Sequence, residues 1–176
     1  NTLFSDAGFG GAVICLTGLN SRFSMQAQPD GSTKVLAPAG MMLSALCNTA
    51  QKESLAGLEF AFGIPGTVGG AVYMNAGAYG GELKDVVRGV LAISPDGREE
   101  RVFTNEEMQF GYRHSVLSDN GYIALFASLQ LAQGDPAAIA LTMRELNQKR
   151  NSKQPVQYPS AGSTFKRPEG YFAGRS

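Results

Sequence analysis

The chain has 176 residues, enough for one domain or one and a fraction, with 43% hydrophobic and 17% charged residues and a formal net charge of zero at pH 7. Balanced charge without a long basic run excludes a nucleic-acid footprint, and no apolar run reaches the roughly 18 residues that cross a bilayer. Cys15 and Cys47 are too few for a disulfide framework and read as buried thiols of a reducing cytosol, while His114, the single histidine, excludes a His-rich metal site.

The opening, NTLFSDAGFGG, lacks Met and lacks the charged and apolar regions of a signal peptide. The close, Phe172 to Ser176, brings no clear final element, so the chain reads as a piece of a larger protein. Residues 12–16 (AVICL) form a short apolar run between glycines and are expected to be a buried strand. Residues 23–28 and 33–37 alternate around Pro29-Asp30-Gly31, the turn chemistry of a hairpin. From residue 41 to 56 the apolar positions Met42, Leu43, Ala45, Leu46, Ala50 and Leu55 recur at helical spacing, with Gly57 placed as a C-cap.

Residues 60–82, FAFGIPGTVGGAVYMNAGAYGGE, then crowd seven glycines around Pro65, Asn75 and Tyr79. Glycine weakens helices and strands, so such a density serves backbone shape: turns with φ > 0, or close approach of a ligand to the main chain. Phosphate is commonly held by successive N–H groups of a tight turn at a helix start, and a short helix over residues 66–73 aimed at a ligand is expected. The spacing is neither a Rossmann fingerprint nor a Walker loop. On these features alone an anion or cofactor loop and a plain set of turns both remain open.

Residues 85–93 read as a long strand, Pro95-Asp96-Gly97 as a turn, and residues 99–103 as the return strand. Thr104, Asn105 and Glu107 offer capping chemistry for one helical turn. Residues 122–131 form another apolar strand. Asp135-Pro136 opens a helix over residues 137–149, with Ile139, Leu141, Met143 and Leu146 as its apolar face and Lys149 and Arg150 at its C-terminal end. The mixed order indicates an α+β fold with a mainly antiparallel sheet.

Three segments in this order, IPGTVGGAVYMNAGAYGGE at 64–82, FGYRHSVL at 110–117 and PSAGSTFKRP at 159–168, resemble the MurB family, the UDP-N-acetylenolpyruvoylglucosamine reductases of bacterial cell-wall synthesis. The opening NTLFSDAGFGGAVI resembles the continuation of that family's GGGSN loop, with Asn1 as its last residue. The compact interval between YRHS and AGSTF is similar to the shorter variant of the family. The resemblance implies an FAD-binding domain of the vanillyl-alcohol-oxidase type over residues 1–150, its N-terminal part missing, and the beginning of a substrate domain over 151–176. It also implies a cytoplasmic, monomeric oxidoreductase with FAD as cofactor, NADPH as co-substrate and a UDP-sugar as substrate, working in peptidoglycan synthesis, cell shape and cell division, with no nucleic-acid or membrane partner.

Carried over residue by residue, the resemblance makes Arg113 of YRHS the cation beside the substrate carboxylate, and Ser163 of AGSTF the proton donor. Tyr112 and Lys153 match substrate-contacting residues, and Arg167 stands where some members have asparagine, within reach of a diphosphate. Pro65, Gly66, Thr67, Gly69, Gly70, Asn75, Ala76 and Gly77, with Asn1 and Thr2, are the expected FAD contacts. His114 is not required by the family pattern and reads as structural or solvent-facing. A glutamate that works with the serine is expected beyond Ser176. Two other readings stand beside this one: a non-catalytic FAD- or nucleotide-binding fragment, and a related flavoprotein with another substrate. The YRHS and AGSTF pair argues against the second, because those residues serve enolpyruvyl chemistry rather than flavin binding.

Overall fold

A computed structural model describes residues 4–19 and 22–154. In chain order the strands are β1 (Ser24–Ala27), β2 (Ser32–Pro38), β3 (Leu55–Ala56), β4 (Gly77–Ala78), β5 (Gly81–Glu82), β6 (Val87–Ile93), β7 (Glu100–Thr104) and β8 (Ile123–Gln133). The α-helices are α1 (Leu43–Lys52), α2 (Val68–Tyr73), α3 (Leu83–Val86), α4 (Leu117–Asn120) and α5 (Pro136–Lys153). The α+β expectation holds: β1, β2, β8, β6 and β7 lie side by side in that order, every pair antiparallel, with β3 added at the end of β8.

Both expected hairpins form on their turn chemistry. Asp30 accepts from the Ser32 amide and hydroxyl beneath Gly31 at φ +81°, and Ser94 and Asp96 brace the turn at Gly97, φ +73°. Alternation then decides the faces. Val35, Ala37, Val90, Ala92, Ala127, Leu129 and Leu131 are buried on one side, where α1, α2 and α5 pack and complete a single core with Leu43, Leu46, Val72, Ile139 and Met143. The other side carries Lys34, Leu36, Arg88, Phe126, Ser128 and Gln130 around an open concavity of about 900 Å³ that holds none of the expected site residues.

Four expectations are corrected. Residues 12–16 form no strand: a 3-10 turn occupies Leu16–Gly18, and Val13 and Ile14 are 65% and 80% exposed. A strand needs a neighbour to take its N–H and C=O groups, and among the described residues no strand pairs with this segment. Cys15, expected in the core, is therefore exposed, whereas Cys47 is buried as expected and its thiol is pushed up to about 12 by burial.

The helix expected through residue 56 ends at Lys52. Ser54 takes φ 58° and frees Leu55–Ala56 to pair with β8, so a tertiary ladder overrides helical periodicity and Gly57 is not the cap. In α5, Ile139 and Met143 are buried and Leu146 is half-buried, but Leu141 is 52% exposed. Positions 139, 143, 146 and 150 share one face by i+3/i+4 spacing, and Leu141 lies about 200° from Ile139 around the helix. The stripe thus points Arg150 inward. The division expected at 150/151 falls within α5, and most of the second part lies outside the described residues.

Candidate functional site

The glycine-rich stretch folds as a loop, the helix α2, and the β4–β5 hairpin. Gly66 stands at φ +117°, with open space where a Cβ would project. Thr67 is the N-cap of α2, its hydroxyl accepting from the Gly70 amide at 3.4 Å. At the helix start itself the first two amides are spent within the fold. The Val68 amide donates to the Met41 carbonyl at 2.8 Å and the Gly69 amide to the Ala39 carbonyl at 2.9 Å. Of the loop, the Gly66 and Thr67 amides have no acceptor among the described residues.

Neighbouring glycines differ in purpose. A Cβ on Gly69 would sit 2.8 Å from the Ala39 Cβ, so glycine there lets α2 lie against the end of β2. A Cβ on Gly70 would meet only the Thr67 hydroxyl, at 3.7 Å. Gly70 lines a cavity of about 400 Å³ together with Leu16, Ala39, Thr67, Tyr73, Leu117, Ser118 and Tyr122. Leu16 is held close there, since its carbonyl occupies the place of a Cβ on Gly40.

At the end of α2, Asn75 adopts φ 42° and is only 2% exposed. Its amide group donates to Glu82 Oε2 and to the Gly111 carbonyl, and its Oδ1 accepts from the Lys84 amide, each at 3.0 Å. Glycine at 77 and 81 serves the hairpin that follows: a Cβ on Gly77 would lie 2.7 Å from the Gly81 carbonyl, and one on Gly81 2.6 Å from the Phe60 ring. Glu82 also pairs with Lys84 at 2.8 Å. That hydrogen bond, then Asn75 and the nearby Arg113 charge, hold its carboxyl below the usual range against a partial burial cost.

The turn Gly111–His114 approaches this hairpin through the Asn75 bond. It closes on itself by Gly111 N to His114 O at 3.1 Å and His114 N to Gly111 O at 3.3 Å. Arg113 sits at φ 54°, half-buried, with its guanidinium carbon 5.7 Å from the centre of the exposed Tyr112 ring. Directly after the turn, fully buried Ser115 donates to the Tyr73 carbonyl at 2.7 Å. His114 lies with Nε2 3.0 Å from Asp119 and Nδ1 3.3 Å from the Gln109 carbonyl, a structural arrangement matching its expectation. Arg150 reaches from α5 against Gly63 and over the Tyr79 ring at 6.0 Å, with its Nε buried and without a hydrogen-bond partner among the described residues.

Of the expected site residues, Pro65, Gly66, Thr67, Gly69, Gly70, Asn75, Ala76 and Gly77 lie in the one continuous stretch, and Tyr112 and Arg113 are brought to it. Lys153 is exposed at the end of α5. Asn1, Thr2, Ser163 and Arg167 lie outside the described residues. Glu82, Lys84 and Ser115 were not anticipated. The local signals for Glu82 and Lys84 were the Glu82/Asp85 capping pair around α3 and their own opposite charges two residues apart, whereas Ser115 bonds a carbonyl 42 residues back, which no local pattern records.

Compared with known proteins, residues 1–102 match the model of the FAD binding domain. The chain belongs to this FAD-binding family. It is 50% identical over 175 residues to the UDP-N-acetylenolpyruvoylglucosamine reductase of Alkaliphilus oremlandii, covering 99% of this chain and 56% of that protein. The enzyme of that name from Clostridioides difficile is 47% identical with the same coverage. The crystal structure of the Thermus caldophilus reductase (MurB) superposes with a TM-score of 0.72 at 38% identity, over 80% of this chain and 51% of that one. The resemblance to the MurB family noted in three motifs thus extends along nearly the whole sequence, and the chain spans little more than half the length of these relatives.

The FAD-binding family implies a dinucleotide, and the residues present fit one. Gly70 leaves main chain uncovered on the cavity wall, and Gly66, next to the cavity-lining Thr67, has open space where a Cβ would project. The unspent Gly66 and Thr67 amides supply donors for an anionic group. The cavity itself is smaller than the whole dinucleotide and would receive part of it.

Proposed function

We propose that the polypeptide to which this chain belongs is an FAD-dependent reductase that uses NADPH to convert the enolpyruvyl ether of UDP-N-acetylglucosamine to UDP-N-acetylmuramate. The observation that supports it most directly is the presentation of Arg113 on a turn tied to the glycine-rich stretch, in a chain 50% identical to an enzyme named for this reaction. Pro65, Gly66, Thr67, Gly69 and Gly70 would hold FAD on this chain, with Ala76, Gly77, Asn1 and Thr2 completing the set. Bound there, FAD supplies the hydride-transfer chemistry between NADPH and substrate.

The chain's own residues do the rest. Hydride arriving at the outer vinyl carbon leaves negative charge on the neighbouring carbon, delocalised into the substrate carboxylate. A guanidinium held in place against that carboxylate stabilises the developing charge more than the starting ether. Arg113 takes this role. Its stacking on Tyr112 limits its freedom, and a planar fork suits a carboxylate. Tyr112, Lys153 and Arg167 contact the UDP-sugar, the last at the diphosphate. Ser163 delivers the proton to the carbanion carbon: a hydroxyl is a weak acid, but its partner is a strong base. This reading carries with it a cytoplasmic location and a part in cell shape and division. In keeping with it, no described helix is long and apolar enough to cross a membrane.

The test is uptake of FAD by the purified chain, followed in the flavin absorption band, and bleaching of that band by NADPH. Retention of flavin with bleaching by one equivalent of NADPH, and sustained NADPH oxidation by the longer polypeptide only in the presence of the enolpyruvyl ether, are expected. A longer polypeptide that takes up FAD yet leaves the ether unreduced overturns the assignment.

A further inference from the structure

We propose that Asn75 is a positioning residue that holds Arg113 in place, and that its side chain does not contact the cofactor. This rests on the reading of Arg113 given above. A primary amide offers two N–H donors and one carbonyl oxygen. At Asn75 both donors are spent, on Glu82 and on the Gly111 carbonyl, and the oxygen is taken by the Lys84 amide, all at 3.0 Å within a side chain that is 2% exposed. Nothing on the amide is left for a bound molecule except one lone pair of an enclosed oxygen.

What those bonds join is informative. The Gly111 carbonyl belongs to the turn that carries Arg113, 36 residues further along the chain. Its partner within the turn, the His114 amide, reaches it only at 3.3 Å. The Asn75 donor is therefore the shorter of its two bonds and links the turn to the glycine-rich stretch. On the other side of Arg113, Ser115 bonds the Tyr73 carbonyl at 2.7 Å, so the arginine is flanked by two ties to the last turn of α2 and the residues after it. Arg113 itself occupies the left-handed region at φ 54°, which L-residues adopt at a cost unless their surroundings enforce it. Glu82, bonded to the same Asn75 amide, adds a carboxylate whose charge reaches Arg113. Asn75 also stands at φ 42°, where asparagine is among the residues best tolerated.

The experiment compares this chain with Asn75→Asp, Asn75→Ala and Ser115→Ala by amide hydrogen exchange and by 15N relaxation of the Arg113 Nε–H. Aspartate keeps the acceptor for the Lys84 amide and loses both donors. In Asn75→Asp the His114 amide should exchange about tenfold faster, and the Arg113 Nε–H order should fall, while the Lys84 amide and the β8 amides keep their protection. Asn75→Ala should release the Lys84 amide as well. Ser115→Ala should loosen Arg113 from its other side without touching Lys84, and Asn75→Asp, which keeps the acceptor for Lys84, decides the matter if Asn75→Ala fails to fold. Unchanged Arg113 order in Asn75→Asp, with β8 protection intact, overturns the proposal. So does a tenfold loss of FAD affinity in Asn75→Asp with the turn undisturbed, because that would mark Asn75 as a cofactor contact. If neither form takes up FAD, the functional reading loses support while the exchange and relaxation results still decide the role of Asn75.

Discussion

At Gly69 and Gly70, neighbours in α2, an added methyl group would meet opposite surroundings. Gly69→Ala forces the new Cβ against Ala39 at 2.8 Å, with backbone behind it, and should cost about 1–3 kcal/mol of stability by overpacking. Gly70→Ala meets only a hydroxyl at 3.7 Å and removes a flexible residue from a helix, so it should be neutral or stabilising by up to about 1 kcal/mol. Yet it places a methyl group on the wall of the 400 Å³ cavity. Urea unfolding and FAD titration of the two variants should therefore diverge: Gly70→Ala keeps the fold and weakens FAD uptake, and unchanged uptake would remove Gly70 from the cofactor set. At Arg113 the expected effect is on catalysis. Arg113→Ala in the longer polypeptide should lower kcat by about 10²–10³-fold, the usual effect of removing one fixed group from a developing charge, with NADPH oxidation as the assay.

Among the elements, the short helix α3 and the hairpin before it depend on a carboxylate. Glu82 caps α3, receives Lys84 and Asn75, and has its folded-state pKa lowered chiefly by the Lys84 hydrogen bond. A depressed carboxylate contributes stability that is present above its unfolded pKa, about 4.3, and is lost as pH falls towards the folded value. Urea midpoints measured at falling pH should thus decline more steeply for the wild type than for Glu82→Gln below about pH 4.3, while Glu82→Gln is less stable at neutral pH. Parallel declines would show that the Lys84 pair contributes nothing. At the start of α5, Asp135 accepts from the Ala137 amide at 3.0 Å with Pro136 in the first turn. Asp135→Ala should cost about 1 kcal/mol in the same unfolding assay.

For the molecule as a whole, the sheet and its helices bury one core, but Phe4, Phe9, Val13 and Ile14 lie 58–80% exposed in a segment that pairs with no strand among the described residues. Exposed apolar residues close in sequence favour self-association and dye binding. The purified chain should bind a hydrophobic fluorescent dye, and Val13→Ser with Ile14→Ser should lower the signal without shifting the unfolding midpoint. A signal unchanged by both substitutions would place the dye elsewhere.

Much of this architecture was determined by sequence alone. Asp30-Gly31 and Asp96-Gly97 specified their hairpins, Asp135-Pro136 the start of α5, and the density of glycines an irregular backbone around α2. These are signals between near neighbours, set by φ preferences and capping, so they hold wherever the segment finds itself. The tertiary structure alone decided whether residues 12–16 had a partner, where α1 stopped, and how the polar groups of the site were shared. The amides at the start of α2 went to Ala39 and Met41 rather than to a ligand, Asn75 to a turn 36 residues away, and Ser115 to a carbonyl 42 residues back. A buried polar group takes whichever partner the packed chain brings within about 3 Å, and that choice depends on contacts distant in sequence, which spacing and composition do not record.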